Sequence, residues 1–205
     1  MPKLYEMFPT RSQRAKWILE EIGIDYDSNI VDMRSGDHRK PEYTSVNAMQ
    51  VVPTLQTDQY KIHESVAVVL QLADEHPEAS LAPPVGTADR AMYYQWCVFG
   101  SSEMDFPIGL VTQNEMLLPE NERSESLAKL GRELFSKRSK VLSDAIGKRP
   151  FILGDQFSAA DIVLGYNCFW STFTGLLEQF PVLVDYLDRP QNRQAFQRAF
   201  SEPKK

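Results

Sequence analysis

Two segments in the first half of the chain combine residue types that suit the binding of a peptide-like ligand. The first, Val51-Val-Pro-Thr-Leu55, has the apolar residues of a strand but contains Pro53. Proline cannot donate a hydrogen bond to a strand ladder and is normally confined to an edge or a strand start. If the Val52–Pro53 bond is cis, the N–H and C=O groups of Val52 face outward and can pair with an extended peptide. The alternative is an ordinary trans proline at a strand start.

The second segment places an acidic residue and a serine at the predicted start of a helix. It reads Ile62-His-Glu-Ser-Val-Ala-Val-Val-Leu70. The free N–H groups of a helix start and the Ser65 hydroxyl suit a carboxylate, whereas the Glu64 side chain suits an ammonium group. Together they predict a site for an amino acid head group. Taken alone, Ser65 is better explained as a helix cap.

Composition and charge argue against several other kinds of site. The 205 residues carry a net charge of -6 and their basic residues are scattered, so nucleic acid is not an expected partner. Cys97 and Cys168 lack metal-ligand spacing and the three histidines stand alone, so no metal site is expected. No apolar run is long enough for a membrane span and the N-terminus lacks a secretory signal, which predicts a cytoplasmic protein.

The elements that must position these segments alternate between strand and helix. Strands are predicted at residues 4–8, 26–31, 52–57 and 60–63, and helices from Ser12 to Gly23 and from Glu64 to the residue before Pro77. This order predicts an α/β domain with a mixed sheet over residues 1–80. Residues 81–87 are rich in proline and glycine and predict a linker. The amphipathic runs that follow predict an all-helical domain over residues 88–205.

The clearest local signal in the second half is Phe157-Ser-Ala-Ala-Asp161. Ser158 can cap a helix while Asp161 reaches back to the cap amide, which is a capping box. The alternative role of Asp161, a catalytic acid, is the less favoured one.

The longer pattern resembles the cytosolic, bacterial-type glutathione S-transferases. The resemblance rests on Lys3-Leu-Tyr5, Arg14 to Tyr26, the two segments above and Phe151 to Asp161, and it spans nearly the whole chain. It implies a thioredoxin-like N-terminal domain with a mixed four-stranded sheet that holds glutathione. It also implies a helical C-terminal domain that contributes a hydrophobic substrate site, and a homodimer. Several apolar residues of that domain are candidates for the substrate site: Met92, Phe99, Met104, Phe106, Phe169, Trp170 and Phe173. The alternative, favoured for any one of them taken alone, is a place in the core.

Site residues follow from the resemblance position by position. Val52, beside a cis Pro53, would pair its backbone with the cysteinyl part of glutathione. Glu64 and Ser65 would hold the γ-glutamyl end. A lysine that related bacterial sequences place before the Val-Pro pair is absent from Asn47-Ala-Met-Gln-Val51. His38 or Gln50 is the candidate substitute at the glycyl carboxylate.

A hydroxyl group is also expected near the sulfur, because a free thiol with a pKa of about 8.5 is mostly protonated at neutral pH. Thr10 is the first candidate, Ser12 the second and Tyr5 the third, and Arg11 and the start of the first helix can assist. No cysteine lies between Phe8 and Arg14, which argues against thiol-disulfide exchange. The sequence therefore predicts a transferase acting on a small hydrophobic electrophile. A glutathione-dependent isomerase and a non-catalytic binding protein are the alternatives.

Overall fold

A computed structural model describes residues 1–201 and divides the chain into two compact units. The first unit contains Met1–Leu81 together with the segment that begins at Asn192, and the second contains Ala82–Gln191. The prediction from the sequence instead assigns residues 88–205 to the helical domain. The difference arises because the last helix packs on the first one. The linker over residues 81–87 stays a prediction.

The first unit is built on a mixed four-stranded sheet, which confirms the predicted thioredoxin-like fold class. Its strands are β1 (Lys3–Glu6), β2 (Asp27–Ile30), β3 (Thr54–Gln56) and β4 (Lys61–His63), in the spatial order β2-β1-β3-β4. β1 is parallel to β2, and β3 is antiparallel to both β1 and β4. β3 begins two residues later than predicted, since Pro53 has no N–H group to pair.

Helices α1 (Ser12–Ile22), α2 (Pro41–Thr44) and α3 (Ser65–Glu75) complete this part of the unit. The apolar residues Ala15, Ile18 and Leu19 recur at the spacing of one helix face in α1, and all three are fully buried. Gly23 ends α1 in the left-handed conformation at φ 79°, a geometry that favours glycine. The predicted boundaries of α1 and α3 therefore agree closely with the structure.

The C-terminal helix α9 (Gln194–Ala199) packs on α1 through aromatic contacts, and an ion pair beside it strengthens this packing. The Trp17 ring meets Phe196 edge-on with ring centroids 4.9 Å apart. Arg193 donates two hydrogen bonds of 2.7 Å to the Glu21 carboxylate. These contacts explain why the end of the chain groups with the first unit.

The second unit is helical, and no strand is assigned to its residues. Its helices are α4 (Ala88–Phe99), α5 (Asp105–Thr112), α6 (Glu125–Ile146), α7 (Ala159–Thr172) and α8 (Pro181–Gln191). A π-helical turn at Gly100–Met104 joins α4 to α5. At Gly131 a side-chain carbon would lie 2.8 Å from the Pro107 carbonyl oxygen, so α5 and α6 pack too closely there for any larger residue.

The predicted capping box at the start of α7 is confirmed. The Asp161 side chain is 0% exposed and accepts hydrogen bonds from the Ile152 and Ser158 amides, both 2.9 Å long. It also accepts from the Ser158 hydroxyl at 2.8 Å and the Tyr186 hydroxyl at 2.6 Å. Burial raises the pKa of Asp161, and the four donors oppose that shift. All of these contacts serve the fold, and none reaches solvent.

Candidate functional site

The ladder register of the sheet gathers the predicted ligand-binding segments at one of its ends. Thr54 pairs with Tyr5 on one side and with His63 on the other. Pro53 therefore lies just beyond the ladder on β3, and Glu64 lies just beyond it on β4. The chain that follows β1 leaves the sheet at the same end. We call this place the open end of the sheet.

Hydrogen bonds from the segment before β3 hold the Val51–Pro53 turn. The Tyr43 hydroxyl donates to the Val51 carbonyl at 2.6 Å, and the Asn47 amide donates to the same oxygen at 2.9 Å. Burial raises the pKa of Tyr43, so its phenol stays a donor at neutral pH. In the sequence, Tyr43 has no local signal for this role, and Asn47 stands out only as the first residue of the segment up to Val51.

The Val52–Pro53 peptide bond is cis, as proposed from the sequence. The Val52 residue is 8% exposed and packs in a small apolar cluster with Val31 and Tyr43. Within residues 1–201 the Val52 backbone forms no hydrogen bond. Its N–H and C=O groups are thus available to a ligand with a peptide backbone.

Glu64 and Ser65 stand at the start of α3 in distinct environments. Glu64 has φ 71° and ψ 107°, a backbone conformation that costs a non-glycine residue about 1–3 kcal/mol. The residue is solvent-exposed, so its carboxylate is accessible. Ser65 is the first residue of α3 and is only 5% exposed. The cap position is Glu64, so Ser65 does not act as the cap that the sequence favoured for it taken alone.

Arg14 of α1 meets Ser65 of α3 inside the unit. The Arg14 residue is 0% exposed, and its Nη1 atom donates to the Ser65 hydroxyl oxygen at 3.4 Å. This contact places the starts of α1 and α3 side by side. In the sequence, Arg14 is only the first residue of the longer pattern up to Tyr26. An arginine inside the apolar repeat of α1 is the signal that could have indicated a buried polar role.

The three hydroxyl candidates differ in how far they can reach a ligand. Thr10 is half-buried, and its hydroxyl lies 2.6 Å from the Met7 carbonyl and 2.9 Å from the Ser12 hydroxyl. Ser12 is 0% exposed, so a ligand could reach its hydroxyl only after the loop rearranges. The Tyr5 hydroxyl donates to Gln56 at 3.3 Å. Gln56 pairs with the start of β1, so that hydroxyl points away from the open end of the sheet.

The remaining candidates lie on the surface or in loops around these segments. Arg11 precedes α1 and is exposed. Gln50 is exposed at φ 57° and immediately precedes Val51. The Nε2 atom of His38 accepts from the Arg39 side chain at 3.2 Å, and its Nδ1 atom is buried. In the described part of the chain, no hydrogen bond or ion pair joins His38 to the other candidates.

Other kinds of site find no support in residues 1–201. No group of three histidine, cysteine or acidic residues there could hold a metal ion. No described helix is both long and apolar enough to cross a bilayer. Burial raises the pKa of the Cys168 thiol to about 12, so this sulfur is not a nucleophile at neutral pH.

Two family models match the chain, one toward each end of it. The model of the glutathione S-transferase N-terminal domain matches residues 2–74, and the model of the C-terminal domain matches residues 125–189. The chain belongs to the glutathione S-transferase superfamily.

Known transferase-family proteins resemble the chain along most of its length. It is 26% identical over 205 residues to glutathione S-transferase Z2 from Arabidopsis thaliana, covering 98% of this chain and 91% of the relative. It is 31% identical over 172 residues to probable maleylacetoacetate isomerase 1 from Drosophila melanogaster, covering 80% of this chain and 66% of the relative. A crystal structure of a glutathione transferase from Methylococcus capsulatus str. Bath has a TM-score of 0.87 at 29% identity, and the match covers 98% of this chain and 97% of that one.

The helical unit carries an open groove of about 450 Å³ along α4. The groove is lined by residues of α4 and of the π-helical turn that follows it: Ala91, Tyr94, Gln95, Val98, Phe99, Ser102 and Glu103. Of the apolar residues that the sequence suggested for the electrophile, Phe99 lies in this groove. Phe106 is 57% exposed, whereas Met104 is fully buried and belongs to the core.

Proposed function

We propose that this chain is a glutathione transferase that holds glutathione at the open end of its sheet and activates the thiol to attack a small hydrophobic electrophile. The observation that carries the proposal is the ladder register around Thr54, which brings the Val52–Pro53 turn and the Glu64–Ser65 helix start together. The Val52 backbone pairs with the cysteinyl residue of glutathione. Glu64 receives the ammonium group of the γ-glutamyl end, and Ser65 with the first α3 amides receives its carboxylate.

Thr10 is the proposed thiol-activating residue. Thr10 is half-buried whereas Ser12 is fully buried, and the Thr10 hydroxyl, unlike that of Tyr5, lies at the positive start of α1. When glutathione is bound, this hydroxyl turns from the Met7 carbonyl to donate to the sulfur. Lowering the thiol pKa by about two units needs only about 2.7 kcal/mol of preferential interaction with the anion. Ser12 supports this end of the site by its hydrogen bond with the Thr10 hydroxyl, and Arg11 supports it by its positive charge.

The rest of the proposal concerns the glycyl end, the electrophile and the assembly. His38 or Gln50 takes the place of the missing lysine at the glycyl carboxylate. Glutathione is a co-substrate and no metal takes part. The α4 groove is the candidate surface of the helical unit for a hydrophobic molecule. A cytoplasmic homodimer completes the proposal, with partners limited to small molecules and a second copy of the chain.

Glutathione-dependent isomerisation is the second candidate. The similarity to the probable maleylacetoacetate isomerase of Drosophila melanogaster favours it. Isomerases of this superfamily resemble one another in a first loop that is rich in serine and cysteine. The corresponding loop here, Phe8-Pro-Thr-Arg-Ser12, lacks that pattern, and its absence favours conjugation. Turnover of maleylacetoacetate without turnover of an aryl halide would reverse this ranking.

Calorimetric titration with glutathione tests the binding site, and conjugation of a generic aryl halide tests turnover. The wild-type chain is expected to bind glutathione. Ser65→Ala is expected to weaken binding about 10- to 100-fold, the effect of losing a hydrogen bond to a charged group. Ser136→Ala, at an exposed position of α6, is the matched control and should bind normally. Unchanged affinity in Ser65→Ala would reject the γ-glutamyl assignment. Binding of glutathione without turnover of either the aryl halide or maleylacetoacetate would favour a non-catalytic binding protein.

A further inference from the structure

The contact between Arg14 and Ser65 joins two buried side chains of different hydrogen-bonding character. Arg14 is 0% exposed and Ser65 is 5% exposed, so solvent does not compete for their hydrogen bond of 3.4 Å. A guanidinium group has five N–H donors and no acceptor, whereas a hydroxyl group has one donor and two acceptor lone pairs. The serine oxygen must therefore be the acceptor in this contact.

Because the Ser65 oxygen accepts this hydrogen bond, the single hydroxyl hydrogen of Ser65 remains for another acceptor. Within the described residues, the Ser65 hydroxyl donates to no atom. The N–H groups of the first turn of α3 cannot accept it, because they too are donors. An anionic group placed at the start of α3 would meet both the amides and this hydrogen.

We propose that Arg14 is a positioning residue that orients the Ser65 hydroxyl toward the carboxylate of a bound γ-glutamyl group. The inference rests on the proposed function, since it names how one residue of that site is prepared. Arginine suits this role because it stays protonated at all physiological pH values and its planar fork fixes the direction of its donors. The hydroxyl is thus oriented before the ligand arrives, which lowers the entropic cost of binding.

A double-mutant cycle in glutathione affinity tests the proposal. Arg14→Met removes the donor, and it is expected to weaken glutathione binding about tenfold in the wild-type background. In the Ser65→Ala background, the same change is expected to alter affinity by less than twofold, because no hydroxyl remains to be oriented. Equal losses in both backgrounds would show that Arg14 only supports the fold, and would overturn the proposal.

A second ligand and a second variant strengthen the test. The peptide 4-aminobutyryl-Cys-Gly lacks the γ-glutamyl carboxylate, so Arg14→Met should not change its affinity; an unchanged tenfold loss would contradict the proposal. If Arg14→Met does not fold, Arg14→Gln replaces it. Glutamine keeps a polar group at the buried position but can accept the Ser65 hydrogen, so the same tenfold, Ser65-dependent loss is expected. Failure of the wild-type chain to bind glutathione would instead refute the proposed function itself.

Discussion

Substitution of Asp161 should reveal how much the second unit depends on one buried carboxylate. The side chain accepts four hydrogen bonds, two from amides and two from the Ser158 and Tyr186 hydroxyls. Asp161→Asn keeps one acceptor oxygen and turns an NH₂ group toward donors, so about two of these bonds are lost. At roughly 1–3 kcal/mol for each buried group left unsatisfied, the expected loss is about 3 kcal/mol. That is a large part of the 5–15 kcal/mol typical of a folded domain.

Urea unfolding at neutral pH measures this loss as a change in the free energy of unfolding. Tyr186→Phe removes one of the four donors and should cost about 2 kcal/mol. Asp144→Asn is the matched control, because Asp144 is an exposed aspartate that forms a surface ion pair with Lys140, and it should change stability by less than about 0.5 kcal/mol. A loss below about 1 kcal/mol for Asp161→Asn would refute the view that this network anchors α7.

Three further substitutions test other parts of the account. Thr10→Val should raise the pKa of the bound glutathione thiol by about 1–2 units, the effect of losing one hydrogen bond to an anion; an unchanged value in a thiolate absorbance titration would move the role to Ser12 or Tyr5. Glu64→Gly should raise the free energy of unfolding by about 1 kcal/mol through relief of its φ of 71° while weakening glutathione binding, and a drop in stability would argue against strain. Arg193→Ala should cost about 1 kcal/mol in urea unfolding because it removes both bonds to Glu21, whereas an unaltered midpoint would show that the C-terminal helix does not depend on them.

The elements that the sequence predicts well are those with local signals. The apolar spacing of Ala15, Ile18 and Leu19 is enough to define α1, because a helix buries one face at a fixed period. Ser158 and Asp161 are three residues apart, so their mutual capping is visible in the sequence. The mixed sheet follows from the order of the elements alone. In the two helical cases the interacting residues are close along the chain or belong to one repeating pattern.

The features that the sequence does not reveal depend on contacts between distant residues. Arg14 and Ser65 are separated by 51 positions, and only the packing of α1 beside α3 shows that they meet. The return of α9 to α1 likewise needs Trp17 and Phe196 to be seen in space. Accessibility has the same limitation, because the sequence places Thr10 and Ser12 in one loop but does not show that only Thr10 reaches the surface.

A crystal structure of the chain soaked with glutathione would test the central claim most directly. The account predicts density for the tripeptide across the open end of the sheet, with its cysteinyl backbone hydrogen-bonded to Val52 and its γ-glutamyl carboxylate on Ser65. The sulfur should lie within hydrogen-bonding distance of the Thr10 hydroxyl. A tripeptide bound elsewhere, or a well-ordered crystal that takes up none at saturating glutathione, would contradict the account.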